Sequence, residues 1–221
     1  MKVVGLLSGG IDSSTLLYWL KHYHEDVVAL TILYGQKQRR EVNAAKEIAK
    51  RCGVYHKILD LTPLREVLSS ALTHEDIEVP EVPETAEHYE TLKTTVVPNR
   101  NMILLSIAAG YAVSLGFDAV AYAAHWSDRG VYPDCRDVFV RSIEHTIRLA
   151  VDVPSFRVLA PFIFLDKSEI VKIGANLGVP YELTWSCYKG ESIHCGRCSS
   201  CIERKRAFID AGIPDPTEYR R

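Results

Sequence analysis

No apolar stretch in this chain reaches membrane-spanning length. The longest, Met102 to Val113, is interrupted by Ser106, Gly110 and Tyr111 and falls short of the about 20 residues a spanning helix needs. Excess charge of either sign is also missing: 26 Lys and Arg against 28 Asp and Glu leave a net charge of -2 at pH 7. Without a broad basic field, nucleic acid is not an expected partner, whereas a small anionic substrate needs only a few local cations. The N-terminus lacks the longer apolar core and small-residue cleavage site of a secretory signal, so the expected compartment is the cytoplasm. There is no internal repeat. What is present is 221 residues, 47% of them hydrophobic, able to bury roughly two-thirds to three-quarters of the unfolded surface in one core. One domain with a small appendage is the expectation.

Short apolar, β-branched runs at residues 2–7 and 27–33 are each followed by polar or glycine punctuation and then a helical pattern. The runs at 55–59, 119–123 and 157–159 repeat it. This rhythm predicts βαβ units, hence an α/β fold with a doubly wound, mostly parallel sheet covered by helices on both faces. Gly53, Gly116, Gly178 and Gly212 each follow a helical stretch and precede an apolar residue, the pattern of a left-handed helix stop with its apolar clasp. Asp166-Lys167-Ser168-Glu169 predicts a capping box opening another helix. Between Thr73 and Pro98 the pattern lapses into Pro80, Pro83 and Pro98 amid acidic residues, and so long a loop is expected to serve as a lid over the site, the alternative being a merely floppy insertion. The chain therefore divides into an α/β domain over 1–166, with a lid-like insertion at 73–98, and a C-terminal segment over 167–221.

The segment Leu7-Ser8-Gly9-Gly10-Ile11-Asp12-Ser13-Ser14-Thr15-Leu16-Leu17 falls where the first strand gives way to the first helix. Two glycines let the backbone turn tightly and approach a ligand, the serines add hydroxyl donors, and a helix N-terminus presents unpaired N–H groups with about half a positive charge. An anion site is the reading; the bland alternative is a strand-to-helix turn capped by Asp12 or Ser13. The loop is neither the G-x-x-x-x-G-K-[ST] phosphate loop, for no lysine follows the glycines, nor G-x-G-x-x-G. Ser-Gly-Gly-x-Asp-Ser after a strand resembles instead the PP-loop of the ATP pyrophosphatases. That resemblance implies an adenine nucleotide alpha hydrolase-like fold, ATP as co-substrate and release of AMP and pyrophosphate. Asp12 is a candidate Mg²⁺ ligand, because a hard cation beside phosphates favours carboxylate oxygen.

Four of the six cysteines crowd into fifteen residues near the C-terminus, as Cys187, seven residues, then Cys195-x2-Cys198-x2-Cys201. In a reducing compartment this clustering favours a metal over disulfides. Four thiolates fill a tetrahedron about 2.3 Å from Zn²⁺ and leave no position for catalytic water, so structural zinc is the first reading; an iron–sulfur cluster is the chemical rival. Cys52, at a helix end, reads as a core residue.

The combination of PP-loop and C-terminal cysteines, with the intervening Tyr34-Gly35-Gln36, Val97-Pro98-Asn99-Arg100-Asn101, Tyr132-Pro133-Asp134-Cys135-Arg136 and Thr184-Trp185-Ser186-Cys187-Tyr188, resembles the 7-cyano-7-deazaguanine synthase family over essentially the whole chain. The resemblance implies conversion of 7-carboxy-7-deazaguanine, ammonia and ATP to the nitrile, in a homodimer. Within it, Asp12, Ser13, Lys167 and Arg100 are the expected catalytic residues, with Lys167 reaching the phosphates. Arg100, at a helix start, is expected to hold either the substrate carboxylate or a phosphate, since a guanidinium fork pairs such anions bidentately. Tyr34, Gln36, Asp128, Tyr132 and Asp134 are expected to complete the substrate pocket at the carboxyl edge of the sheet. His125 could shuttle protons or be a bystander, and the bulky Trp126 and Arg129 beside it depart from the family pattern. Two rivals stay open: an RNA-modifying PP-loop enzyme that uses the cysteines for sulfur chemistry or RNA contact, and a nucleotide sensor with a dead loop.

Overall fold

A computed structural model describes residues 1–36, 39–68, 70–73, 95–189 and 192–220. The stretch expected to form a lid falls mostly at 74–94, outside the described residues. Five strands form one sheet: β1 (Lys2–Leu6), β2 (Asp26–Leu33), β3 (Tyr55–Asp60), β4 (Ala119–Ala121) and β5 (Arg157–Leu159), in the spatial order β3-β2-β1-β4-β5 and parallel throughout. The helices between and after them are α1 (Ile11–Tyr23), α2 (Arg39–Cys52), α3 (Arg100–Ser114), α4 (Asp137–Val151), α5 (Lys167–Asn176) and α6 (Ser199–Ala211).

Period-two alternation sends successive strand residues to opposite faces, so apolar runs serve two cores at once. Val4, Leu30, Val120 and Val158 pack with Leu105 and Ala109 of α3 and Ile143 and Ile147 of α4. On the other face Val3, Ala29, Ala119 and Ala121 pack with Leu16, Leu17 and Leu20 of α1, Ile48 of α2 and Ile170 of α5. Each fully buried Leu or Ile contributes about 1.5–3 kcal/mol of transfer free energy. The expected α/β fold, with its parallel sheet covered on both faces, is therefore what the chain forms. β1 and β4 stop slightly earlier than their apolar runs, at Leu6 and Ala121, because the residues beyond bend into the site.

All four glycine stops adopt left-handed backbone, with φ between 68° and 73°. In each, the amide after the glycine bonds the carbonyl five residues back: Val54 to Ala49, Phe117 to Ala112, Val179 to Gly174 and Ile213 to Phe208. The capping box at α5 is likewise formed, with Asp166 accepting from the Glu169 amide and the Glu169 carboxylate accepting from the Asp166 amide. The C-terminal segment is no loose appendage. Val171 of α5 and Phe208 of α6 share a buried cluster with Ile11 of α1, and Gly174 is so close to Tyr181 and Thr15 that an added Cβ would lie 1.9 Å from the tyrosine oxygen.

Candidate active site

The strand order reverses between β1 and β4, the place where open α/β sheets leave a crevice at their carboxyl ends. A cleft of about 280 Å³ lies there. Its floor is the loop after β1, its walls come from α2, α3 and the segment after β4, and Lys167, Trp185, Tyr188 and Glu203 close it from the C-terminal segment.

The loop is held in shape by its own serines. Ser13 Oγ accepts from the Ser8 amide at 3.1 Å and lies 2.9 Å from Ser8 Oγ. Gly9 has φ of 92°, and a Cβ there would sit 2.3 Å from the Glu41 carbonyl oxygen, so only glycine lets α2 press against the loop. Its carbonyl accepts the Trp185 amide at 2.9 Å, which ties the C-terminal segment to the loop. The N-cap of α1 is Gly10, with no side-chain cap; the turn is not capped by Asp12 or Ser13. The first amides of α1 are thereby left without a side-chain partner, as an anion site requires.

Helical rotation divides the expected nucleotide residues. Leu7, Ser8, Gly10, Ile11, Asp12 and Ser13 line the cleft. Ser14, Thr15, Leu16 and Leu17 turn into the protein: Thr15 bonds the Tyr181 hydroxyl at 2.8 Å, and the two leucines fill the core. Gly9 contributes through its backbone turn and is absent from the lining.

Asp12 is the electrostatic centre. Its Oδ2 lies 3.3 Å from Lys167 Nζ and 3.7 Å from His125 Nε2, while its buried Oδ1 has no hydrogen-bond partner among the described residues. Burial alone would raise the Asp12 carboxyl, but Lys167 and His125 outweigh it and hold the group well below the usual carboxylate range. Burial opposes the Lys167 charge too; Asp12, Glu203 and Asp128 reverse that and raise it above an ordinary lysine. His125 is buried behind the lining, 3.4 Å from Asp128, and these two aspartates raise its pKa against the effect of burial. It is therefore part of the cluster, a placement its position in the sequence left open.

At the other end, Arg100 opens α3 and stacks over the Tyr34 ring at 5.9 Å. Burial works against its charge, but Tyr34, Asp134 and Tyr132 keep it firmly cationic. Tyr132, Gln36 and Asp128 line the cleft, with the Tyr132 hydroxyl 3.0 Å from Thr95 Oγ1. Asp134 does not: it accepts the Asn101 amide at the start of α3 and so helps to seat Arg100. Sequence reasoning passed over Glu41, Glu203 and Tyr188. No motif in the sequence singles out the first two, and Tyr188 stands there only as the end of Thr184-Trp185-Ser186-Cys187-Tyr188.

The four cysteine sulfurs lie within 4.8 Å of one another and all are buried. Zn–S bonds of about 2.3 Å place tetrahedral sulfurs about 3.8 Å apart, and Cys195 Sγ and Cys201 Sγ are separated by 3.9 Å. Amides of Lys189 and Cys195 point at Cys187 Sγ, and those of Arg197 and Cys198 at Cys195 Sγ, at 3.3–3.5 Å. Gly196, with φ of 74°, makes that turn possible. The group fits a metal ion held by thiolates.

Residues 2–212 match the family described as queuosine biosynthesis protein QueC. The chain belongs to the QueC family. It is 49% identical to 7-cyano-7-deazaguanine synthase of Archaeoglobus fulgidus, over 98% of this chain and 89% of that protein, and 46% identical to that of Caldicellulosiruptor bescii, over 99% and 97%. As a QueC member it is an enzyme. Among solved structures, NMN synthetase from Francisella tularensis superposes with a TM-score of 0.55 at 15% identity, covering 96% of this chain and 78% of that one, a likeness of fold alone.

Proposed function

We propose that this enzyme converts 7-carboxy-7-deazaguanine and ammonia, with ATP, to 7-cyano-7-deazaguanine. One observation carries the reading: a single cleft joins a serine–glycine phosphate loop, backed by the Asp12–Lys167 pair, to a half-buried Arg100 beside Tyr34 and Tyr132. A carboxylate is a poor acyl donor, because its charge repels nucleophiles and oxide leaves badly. Adenylation supplies AMP as leaving group; ammonia attack gives the amide, and a second adenylation of the amide oxygen allows loss of AMP to the nitrile.

In this scheme Ser8, Gly10 and Ser13 cradle the phosphates and Lys167 neutralises them. Asp12 takes Mg²⁺, for which its unpartnered Oδ1 is suited; the ion would supply charge neutralisation on the triphosphate. Arg100 takes the substrate carboxylate, with Tyr34 and Gln36 beside it, and Asp128 and Tyr132 meet the purine edge. Asp134 acts through Arg100. The four cysteines hold structural Zn²⁺, which anchors the segment that reaches Gly9 through Trp185. Residues 1–166 form the nucleotide-binding unit and 167–221 the zinc-binding segment packed on it. A homodimer working in the cytoplasm is part of the same proposal.

The test supplies 7-carboxy-7-deazaguanine, ammonium, Mg²⁺ and ATP and follows amide, nitrile and AMP by mass spectrometry. Successive appearance of amide and nitrile, each with AMP, is expected; absence of nitrile would defeat the proposal. Metal analysis separates zinc from iron.

A further inference from the structure

Four carboxylates line the cleft, and they are not equivalent. Asp12 and Glu203 each face Lys167 Nζ at 3.3 Å, and Asp128 faces the His125 imidazole at 3.4 Å. Glu41 has no cation at ion-pair distance and accepts no hydrogen bond among the described residues. It sits in the first turn of α2, the helix whose backbone presses on Gly9, and so belongs to the wall beside the phosphate loop, away from the β4 edge that carries Asp128 and Tyr132. The groups whose charges reach it are Arg100 of α3, Tyr34 after β2 and Tyr188 of the cysteine segment.

We propose that Glu41 binds ammonium and removes one of its protons, which makes it the entry site for the nitrogen nucleophile. This rests on the nitrile-forming reading above. Ammonium has no lone pair to give until it loses a proton, and Lys167 and Arg100 repel it from both ends of the cleft. Among the described carboxylates of the lining, Glu41 is the one with no cation at ion-pair distance, which leaves it open to a small cation. Burial raises the Glu41 carboxyl to about 7 against the opposing effect of Arg100, and a base whose pKa lies near the working pH is the effective kind. The carboxylate accepts one ammonium proton, and the freed lone pair forms the C–N bond at the acyl carbon. The C–O bond to AMP then breaks with its electron pair on the phosphate oxygen, and the second surplus proton leaves the nitrogen for water. Asp128 and Tyr132 remain to meet the purine.

The test compares the Glu41→Gln enzyme with the parent in three reactions: acid-dependent ATP–pyrophosphate exchange without a nucleophile, amide and nitrile formation from ammonium, and hydroxamate formation from hydroxylamine, which is uncharged at neutral pH. E41Q should keep exchange and hydroxamate formation within about threefold and lose about a hundredfold in kcat/KM for ammonium. Its ammonium rate should climb steadily with pH as free ammonia grows, whereas the parent rate levels off above about 7. Glu41→Asp, which keeps the carboxylate, should recover part of the ammonium rate, and it decides the matter if the glutamine variant fails to fold. Equal losses in all three reactions, or an unchanged ammonium dependence, would overturn the proposal. So would lost exchange with a raised KM for the deazaguanine acid, which would put Glu41 on the purine edge. A parent enzyme that forms no nitrile would instead defeat the underlying reading, a separable failure.

Discussion

Arg204 is a wholly buried charge and Asp12 a partly buried one, yet their surroundings follow opposite rules. The Arg204 guanidinium, wholly buried in α6, donates to Asp215 Oδ1, Thr184 Oγ1, Ser186 Oγ and the Tyr181 carbonyl at 2.7–3.3 Å. Around Asp12, by contrast, Asp12 Oδ1, Ser14 Oγ and both His125 ring nitrogens are buried without a hydrogen-bond partner among the described residues. An unmet buried polar atom costs about 1–3 kcal/mol, so such a group persists where a ligand completes it. The contrast separates a buried cation whose partners are met within the chain from a cluster in which, among the described residues, several buried polar atoms are not.

Breaking the contrast is expected to have its largest effect at Asp12. Asp12→Ala should lower turnover by about a thousandfold or more, roughly 4 kcal/mol, with a melting temperature close to the parent's because Lys167 keeps Glu203. A stability loss that accounts for the lost turnover would place Asp12 with Arg204. Arg204→Ala should do the reverse and destabilise by about 3 kcal/mol in urea unfolding, since it strands Asp215 in a buried network; a change below about 0.5 kcal/mol would erase the distinction.

Asp215→Asn refines the point through pH. Burial would raise this carboxyl, but the Tyr219 hydroxyl, Arg204 and Thr217 depress it. A depressed folded pKa adds stability that is present above the unfolded value of about 3.9 and is lost as pH falls. The variant should therefore lose about 1.5 kcal/mol at pH 7 and converge with the parent in acid. The smallest effect has the opposite sign. The Glu41 carboxyl is raised to about 7, so the stability it contributes is full below about 4.3 and declines as pH rises towards 7. Glu41→Gln should be the more stable protein at pH 8, with the advantage gone in acid, in urea titrations of ligand-free enzyme.

Much of this organisation could be read from the sequence, and physics explains which part. Strands that serve two cores leave continuous apolar runs, the glycine stops need left-handed backbone, and Ser8-Gly9-Gly10 and the four cysteines are local motifs whose spacing is their geometry. Glu41 and Glu203 were illegible because their roles depend on which helix face meets the cleft, a property of packing. Ser14 to Leu17 were over-read for the same reason: a motif continues along the chain, while a helix turns each successive residue about 100° away from the ligand. Asp134 belongs to the motif around the pocket, yet its side chain caps α3.

The bond from the Trp185 amide to the Gly9 carbonyl has a consequence for the birth of the protein. A ribosome delivers the serine–glycine loop first and its partner only after most of the chain has emerged, so this pairing is among the longest-range closures the fold must make. The loop thus waits, unfinished, through nearly all of synthesis. A nascent or truncated chain that stops short of Trp185 leaves the Gly9 carbonyl without that amide, and the loop lacks its tie to the C-terminal segment.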